Sequence, residues 1–458
     1  MVGLLISSVG IKAISAVLEI CIQMIITQTF GIVGYGNYSF YVNAIEMAFW
    51  LLFSGIIKCN TFYLADDSVS ISRFKKHYYL RYVLPILVCF SLITMISHEW
   101  IYLLSVGGLA LFFRAYDQSS EFLARKQEMT SLSGEYLIGR LVFVVLLGAF
   151  IFFKVEQVAV LITLYSLQYG IIILWFTCRS KTIRSNNREE IPVKINKLWQ
   201  YQQSDIAYGL IGQSPVILQY LSVGAYEAGF AGIVVVVKRL VNFISGPTAK
   251  IFLPEFSRLY QQGNISKIRS FYLLIIQIQM LFVSVIAVAL IGFSELILRM
   301  FSPELAEHTM VFQMVSVGFL LVASLGPGAG LMQMTGQEKT ENHMRWITIA
   351  LMFFVWFVMR ENRFFAIYGL CAQAISEGLI KYFFVCRWFK KAPISIWRYG
   401  LLWLPAIIIC ISIHLLKLSE NYLALFLSCG LCFISTGFIL IMQEDVRHQL
   451  MGMLPNDK

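Results

Sequence analysis

Apolar stretches of about 17 to 25 residues follow one another along almost the whole chain, each long enough as a helix to cross a hydrocarbon core of roughly 30 Å. Short polar segments separate them between Leu4 and Met442. Lipid offers no hydrogen bonds to a backbone, so each stretch must form a helix. The pattern predicts an all-α polytopic membrane protein with about 14 transmembrane helices. The predicted spans are residues 4–26, 37–57, 79–97, 100–124, 133–153, 157–178, 201–222, 228–252, 271–293, 311–334, 344–359, 364–386, 398–416 and 422–442.

Basic residues are distributed unevenly between the joins that connect the spans. Most of the 36 lysines and arginines lie in or beside the even-numbered joins or at the C-terminus. The odd-numbered joins hold only Lys154, Arg299, Arg360, Arg363 and Lys417. Basic joins stay on the cytoplasmic side, so we expect both termini to be cytoplasmic. The net charge of +10 then follows from membrane topology and requires no nucleic acid partner.

The longest polar segment divides the chain into two predicted lobes. We expect an N-terminal lobe over residues 1–180, a cytoplasmic linker over 181–200, a C-terminal lobe over 201–390, and two additional helices with a cytoplasmic tail over 391–458. A shift of 193 residues places Gly31 on Gly224 and Gly36 on Gly229. Repeated halves are common in transporters. The sequence therefore predicts two pseudo-symmetric lobes around a central cavity.

Composition excludes most soluble functions and most catalysis. Hydrophobic residues make up 58% of the chain and charged residues 14%, and the mean hydropathy is +0.72. The sequence has no GxxxxGK[ST] phosphate-binding loop and no metal-ligand spacing, so we expect neither an enzyme nor a cofactor. A membrane-embedded glycan polymerase is the alternative from another class, but it predicts a large outer domain that the short joins do not supply.

Charged residues inside the spans are the main functional signal, because they usually face a bundle interior or a water-filled cavity. Lys12, Lys238 and Arg239 each lie at least two turns from the end of a span. Together they predict a cationic floor suited to an anionic headgroup. Other intramembrane charges are Glu46, Arg140, the stripe of Arg114, Asp117 and Glu121, and the pair of Glu377 and Lys381. The stripe could instead snorkel to the surface, and the pair could be a self-neutralised structural pair.

Proline and glycine mark positions where spans can bend. They occur at Pro215, at Gly246 and Pro247, in the Gly326-Pro327-Gly328 segment, and at Pro405. A static kink that aids packing is one interpretation and a hinge is the other. Span 10, with residues 326–328, is the best hinge candidate.

Four short segments resemble a known family. Residues 29–40, TFGIVGYGNYSF, are similar to the LG-x-x-x-YG-x-YS signature of polysaccharide-export flippases in the multidrug/oligosaccharidyl-lipid/polysaccharide (MOP) superfamily. Residues 224–231 form their counterpart, residues 253–260 resemble the P-x-x-S-R-L stretch, and Gly336 lies where the family often has a TG pair. The resemblance implies the V-shaped, MATE-like fold of that superfamily.

The implied function is that of an O-antigen-type flippase. Such a protein moves undecaprenyl-pyrophosphate-linked oligosaccharide across the bacterial inner membrane by alternating access. A glycan polymerase and a chain-length regulator are the protein partners that the resemblance suggests, beside membrane lipids. The residues carried over for the pyrophosphate are Lys12, Arg114, Arg140, Lys238 and Arg239. Ion coupling would fall on Glu46, Asp117 or Asp205.

Two functions of the same superfamily remain as alternatives. A multidrug antiporter that exports organic cations should have an acid-rich cavity without central lysine and arginine. A lipid II flippase also fits fourteen spans, but its usual cluster of arginines in spans 1 and 2 is missing here.

Overall fold

A computed structural model describes residues 2–64, 69–96, 100–126, 129–152, 157–180, 189–190 and 195–442. Side chains outside the described part include those of residues 2–13 and 242–255. Within these ranges the chain is helical except for turns and one pair of two-residue strands. The prediction of an all-α polytopic membrane protein is confirmed.

The chain divides into two compact units, Met1–Gly232 and Ile233–Lys458. Helices of the first unit are α1 (Val2–Leu52), α2 (Gly55–Tyr63), α3 (Ser72–Tyr78), α4 (Leu84–Ile96), α5 (Trp100–Lys126), α6 (Met129–Phe152), α7 (Val158–Ser180) and α8 (Ile195–Ser222). A π-helical turn, Tyr79–Val83, joins α3 to α4. Strands β1 (Val69–Ser70) and β2 (Glu189–Glu190) pair in parallel, with Val69 opposite Glu189.

The second unit begins within α9 (Ala225–Gln261). Its other helices are α10 (Ile265–Ala287), α11 (Ser294–Phe301), α12 (Thr309–Ser324), α13 (Gly328–Met334), α14 (Glu338–Val358), α15 (Phe365–Trp388), α16 (Ile396–Leu415) and α17 (Tyr422–Met442). A π-helical turn, Val288–Gly292, extends α10, and a 3-10 helix, Pro303–His308, precedes α12.

Within the described ranges, every predicted span falls on a helix or on consecutive helical segments. Span 1 lies in α1, which bends at Gly31. Span 2 is divided between α1 and α2, and span 10 between α12 and α13. Among the described residues, six helical stretches are long and apolar enough to cross a membrane by length and composition alone: Ile14–Leu52, Val158–Cys178, Ile265–Gly292, Pro303–Met332, Trp397–Leu415 and Tyr422–Leu440.

The glycines of the repeated motif have matching backbone roles. Gly31 and Gly224 both have positive φ, 70° and 148°, and each lies where a helix bends or begins. A Cβ on Gly36 would lie 1.7 Å from the carbonyl oxygen of Ala225, and a Cβ on Gly229 would lie 2.6 Å from that of Ile32. Glycine is therefore required where the two copies of the motif pack against each other, because no side chain fits.

Helix α8 packs on α1 and α2 within the first unit, although it follows the linker in sequence. Gln202 ties these helices together: its amide donates to the carbonyls of Trp50 and Leu51, both at 2.8 Å, and its oxygen accepts from the N–H of Gly55 at 2.6 Å. Those backbone groups are free to bond because the helix is interrupted between Leu52 and Gly55. The compact unit thus includes α8 and ends at Gly232 within α9, whereas the predicted lobe boundary lies at residues 181–200 and stays a prediction.

The core of the second unit is apolar and includes the two C-terminal helices. Tyr272 and Ile276 of α10 are fully buried in a cluster with Leu331 of α13, Leu402 of α16 and Leu440 of α17. Packing of this kind, rather than a hydrophobic driving force, associates helices in lipid. The cluster places α10 beside the break in span 10.

Candidate functional site

In the first unit, Glu46 lies on α1 and connects three helices. Its carboxylate accepts hydrogen bonds from the hydroxyl of Tyr165 on α7 at 3.0 Å and from the amide of Gln213 on α8 at 2.7 Å. An ionised carboxylate only accepts hydrogen bonds, and these two neutral donors satisfy one oxygen each. Glu46 therefore holds α8 against the rest of the first unit.

Asp117 on α5 is the centre of a buried ion cluster. Its side chain is 1% exposed and lies 2.9 Å from Lys75 Nζ and 3.2 Å from Arg114 Nη1. It also accepts from the Asn60 amide at 2.8 Å and from the Tyr79 hydroxyl. Two cations and two neutral donors thus satisfy a single carboxylate, as a buried charge requires.

The predicted stripe on α5 is therefore only partly a surface feature. Arg114 is half-exposed and reaches outward, whereas Asp117 faces inward. Lys75 of α3 also contacts Glu121 at 2.7 Å, which anchors this short helix on α5. Sequence reasoning assigned Lys75 to a join, because hydropathy does not show that α3 folds back onto the span.

The other predicted residues of the first unit do not join this cluster in the described contacts. Arg140 on α6 forms an ion pair with Glu19 on α1 at 2.8 Å, and Asp205 is buried in α8. Lys12 lies within α1, but its side chain is outside the described residues. Any substrate that binds Arg114 or Arg140 must share the arginine with a carboxylate already in contact.

In the second unit, Lys238 of α9 differs from these paired cations. Its Nζ is buried and has no hydrogen-bond partner among the described residues. The ammonium lies 5.9 Å from the centre of the Phe319 ring on α12. The next residue, Arg239, is half-buried.

A network of four charged side chains connects α14 and α15. Glu341 Oε1 lies 2.6 Å from Arg345 Nη2 and 2.9 Å from Lys381 Nζ. Glu377 pairs with Lys381 and lies 3.8 Å from Arg345 Nε. Gln373 donates its amide to the same glutamate. Two carboxylates and two cations balance one another within this network.

Pairing of Glu377 with Lys381 is one of the two interpretations that the sequence allows, whereas Glu341 and the inward position of Arg345 are not among its predictions. One signal could have found them. Glu341 and Arg345 have the same acid-first i, i+4 spacing as Glu377 and Lys381, on the preceding helix. Two such pairs on neighbouring helices can neutralise each other where the helices meet.

A cavity of about 270 Å³ lies beside this network in the second unit. Its wall includes the carboxylate-bearing Glu377, Lys381, two tyrosines and the segment between α12 and α13. There the backbone turns at Gly326, with φ of 88°, and the Tyr272 hydroxyl donates to the carbonyl of Leu325 at 3.0 Å. The break coincides with the predicted hinge in span 10.

The described residues were compared with the side-chain clusters that bind metal ions. In the part of the chain that the structure describes, no group of three or more His, Cys, Asp and Glu side chains could hold a metal ion. The arrangement offers instead fixed charges, hydrogen-bond donors and a break in a helix.

Solved transporters share this architecture. The lipid II flippase MurJ in an inward closed conformation is 12% identical, with a TM-score of 0.67 over 95% of this chain and 98% of that protein. A MATE family multidrug resistance transporter of the MOP superfamily, inward-facing, is 12% identical, with a TM-score of 0.61 over 82% and 98%. A MOP superfamily transporter from Pyrococcus furiosus with a binding pocket of reverse polarity is 11% identical, with a TM-score of 0.60 over 86% and 96%.

The chain has the fold of MOP superfamily transporters. No family model matches the sequence, and no curated protein matches it significantly. At these identities the likeness concerns the fold and leaves the cargo open. The charged residues of this chain must therefore carry any argument about its function.

Proposed function

We propose that this protein is a flippase that carries an undecaprenyl-pyrophosphate-linked oligosaccharide across the bacterial inner membrane by alternating access. A diphosphate with polar sugars cannot cross hydrocarbon unaided, whereas its polyprenyl tail can stay in lipid. The protein has to supply a polar path for the headgroup alone. The fold shared with a lipid II flippase and with other MOP transporters is consistent with such a path.

The observation that carries the proposal is the buried ammonium of Lys238. Its three N–H donors have no acceptor among the described residues, although an uncompensated charge at this depth costs several kcal/mol. Phosphate oxygens are strong acceptors for such a group, because charge-assisted hydrogen bonds strengthen when water is excluded. An organic cation would instead be repelled by Lys238 and Arg239.

The remaining predicted contacts have different expected roles. Lys12 and Arg239 are proposed to bind the pyrophosphate with Lys238. Arg114 and Arg140 are proposed to contact it while exchanging partners with Asp117 and Glu19, the carboxylates they now face. Ion coupling is proposed for Glu46, Asp117 or Asp205.

The proposed setting follows from the distribution of basic residues. Both termini and the even-numbered joins face the cytoplasm, where the lipid-linked sugar is assembled, and the cargo is released at the outer leaflet. A glycan polymerase and a chain-length regulator are the proposed partners there. No nucleic acid takes part.

Gene deletion tests the cargo. In a strain of the source bacterium that lacks this gene, we expect lipopolysaccharide without O-chain and accumulation of the lipid-linked oligosaccharide at the inner leaflet. Lys238→Ala should fail to restore the O-chain, whereas Lys267→Ala, which removes an exposed lysine of α10, should restore it. An intact O-chain in the deletion strain would refute the proposal.

Reconstitution separates this function from its rivals. Purified protein in liposomes should expose the sugar of the lipid-linked oligosaccharide to an added glycosidase, and it should not export organic cations. Efflux of cationic dyes without sugar exposure would identify a multidrug antiporter. Transfer of lipid II in preference to the oligosaccharide would identify a lipid II flippase.

A further inference from the structure

Two consecutive lysines of α3 have opposite surroundings. Lys75 is buried and pairs with Asp117 and Glu121 of α5. Lys76 is exposed, and so is Arg81 in the π-helical turn that follows α3. The ion pairs of Lys75 hold α3 on α5, so these two exposed cations are presented from a helix of fixed position.

The π-helical turn brings Arg81 toward the side of Lys76. The N–H of Leu84 donates to the carbonyl of Tyr79, five residues earlier, instead of four as in an α-helix. Residues five apart therefore lie closer to one face here than in a regular α-helix, and Lys76 and Arg81 have this spacing. Such turns within helices occur frequently at functional sites.

An exposed apolar stripe continues from Lys76 along α4. It contains a residue at every fourth position after this lysine, namely Leu80, Leu84, Val88 and Leu92, and each of them is between 47% and 58% exposed. Side chains four residues apart share one face of a helix. The stripe is about 18 Å long at 1.5 Å per residue, close to the roughly 15 Å of hydrocarbon in one leaflet.

The order of groups along this face is the order of groups in a phospholipid. Cations lie at one end, and the exposed Tyr82 lies beside them, as aromatic residues do at a membrane–water interface. The apolar stripe follows at the depth of the acyl chains. Membrane topology explains why this join is basic, but it does not explain why the exposed cations are aligned with the stripe.

We propose that this face of α3 and α4 binds one anionic phospholipid of the surrounding leaflet. The lipid phosphate accepts charge-assisted hydrogen bonds from Lys76 and Arg81, and one acyl chain packs along the stripe. The lipid then lies on the opposite side of α3 from the Asp117 cluster and supports the helix from outside. The inference does not depend on the identity of the cargo.

Lipid titration of the delipidated full chain in detergent, followed by native mass spectrometry, tests the proposal. The tightest site should bind phosphatidylglycerol about tenfold more strongly than the zwitterionic phosphatidylcholine. Lys76→Gln and Arg81→Gln each remove one cation and should weaken phosphatidylglycerol binding about three- to tenfold, whereas phosphatidylcholine binding stays within about twofold. Equal binding of phosphatidylglycerol by the wild type and both variants would overturn the inference.

Lys267→Gln is the matched control. Lys267 is also an exposed lysine near a predicted cytoplasmic join, but Ile275 and Gln279, two and three stripe positions further along α10, are fully buried. Because no exposed apolar stripe continues from this lysine, its loss should leave the Kd for phosphatidylglycerol within about twofold of the wild-type value. A loss as large as that in Lys76→Gln would show that any surface cation is sufficient, and it would refute a defined site.

A soluble competitor distinguishes a lipid from a free phosphate. Glycerol 3-phosphate has the charged group without the acyl chains, so an excess of about a hundredfold should not displace phosphatidylglycerol. Displacement would mean that the stripe contributes nothing and would contradict the proposal.

Thermal unfolding separates lipid binding from a folding defect. Phosphatidylglycerol should raise the Tm of the wild type more than that of Lys76→Gln, since a ligand that binds only the native state stabilises it. Lys76→Arg keeps the positive charge and should respond like the wild type. Equal increases in Tm for the wild type and Lys76→Gln, or a lost response in Lys76→Arg, would refute the proposed role of this cation.

Discussion

Asp117 of the first unit and Lys238 of the second are single charges buried within helices, yet their surroundings differ in kind. Asp117 is in contact with two cations and two neutral donors, whereas Lys238 has no hydrogen-bond partner among the described residues. The first arrangement favours one fixed structure. The second stores an unsatisfied charge, which is a cost to stability that a bound anion can offset.

Loss of the Asp117 charge should have the largest effect. Asp117→Asn leaves Lys75 and Arg114 without their shared buried carboxylate, and we expect the free energy of unfolding to fall by about 3 kcal/mol. Denaturant titration of the detergent-solubilised protein measures this change. Glu121→Gln removes the more exposed partner of Lys75 and should cost less than about 1 kcal/mol. Equal losses of unfolding free energy in the two variants would mean that the buried Asp117 contributes no more to stability than the more exposed Glu121.

Removal of the Lys238 charge should have the opposite sign. Lys238→Met replaces an unpartnered ammonium with an apolar side chain of similar length, so stability should rise by about 1 to 3 kcal/mol while transport is lost. The same substitution at Lys381 should destabilise the protein, because Glu341 and Glu377 both lose a cation. A loss of stability in Lys238→Met would show that a partner satisfies this lysine and would remove the contrast.

The smallest expected effect concerns a neutral member of the Asp117 cluster. Tyr79→Phe deletes one hydroxyl that donates to Asp117 and should lower the free energy of unfolding by about 1 kcal/mol. Thermal unfolding in detergent measures this change. Tyr82→Phe, which alters an exposed tyrosine on the same turn, is the reference variant. A change as large as that of Asp117→Asn would mean that the hydroxyl, rather than the ion pairs, organises the cluster.

The helices were predictable from sequence because lipid makes the same demand of every span. A backbone with no water available must form its own hydrogen bonds, so length and apolarity determine the element. The glycine motif added local detail, since Gly31 and Gly224 both adopt positive φ and Gly36 and Gly229 both lie at close backbone contacts.

The partners of the buried charges were much harder to predict from the sequence. Lys75 meets Asp117 only because α3 folds back onto α5, and no periodic pattern encodes that approach. Glu341 has a spacing signal in the sequence, whereas the absence of a hydrogen-bond partner for Lys238 among the described residues depends on which helices surround it. Positions along one helix are encoded locally; contacts between helices are decided by packing.

The break in span 10 limits which side of this helix can face the lipid. The carbonyl of Ala323 would normally accept from the residue four positions later, which is Pro327 and has no N–H, and the N–H of Gly328 is directed to Gly326 at 2.9 Å. Acyl chains have no hydrogen-bond donors for such carbonyls. That side of the helix must face protein or water, so span 10 cannot turn about its own axis to present it to the lipid.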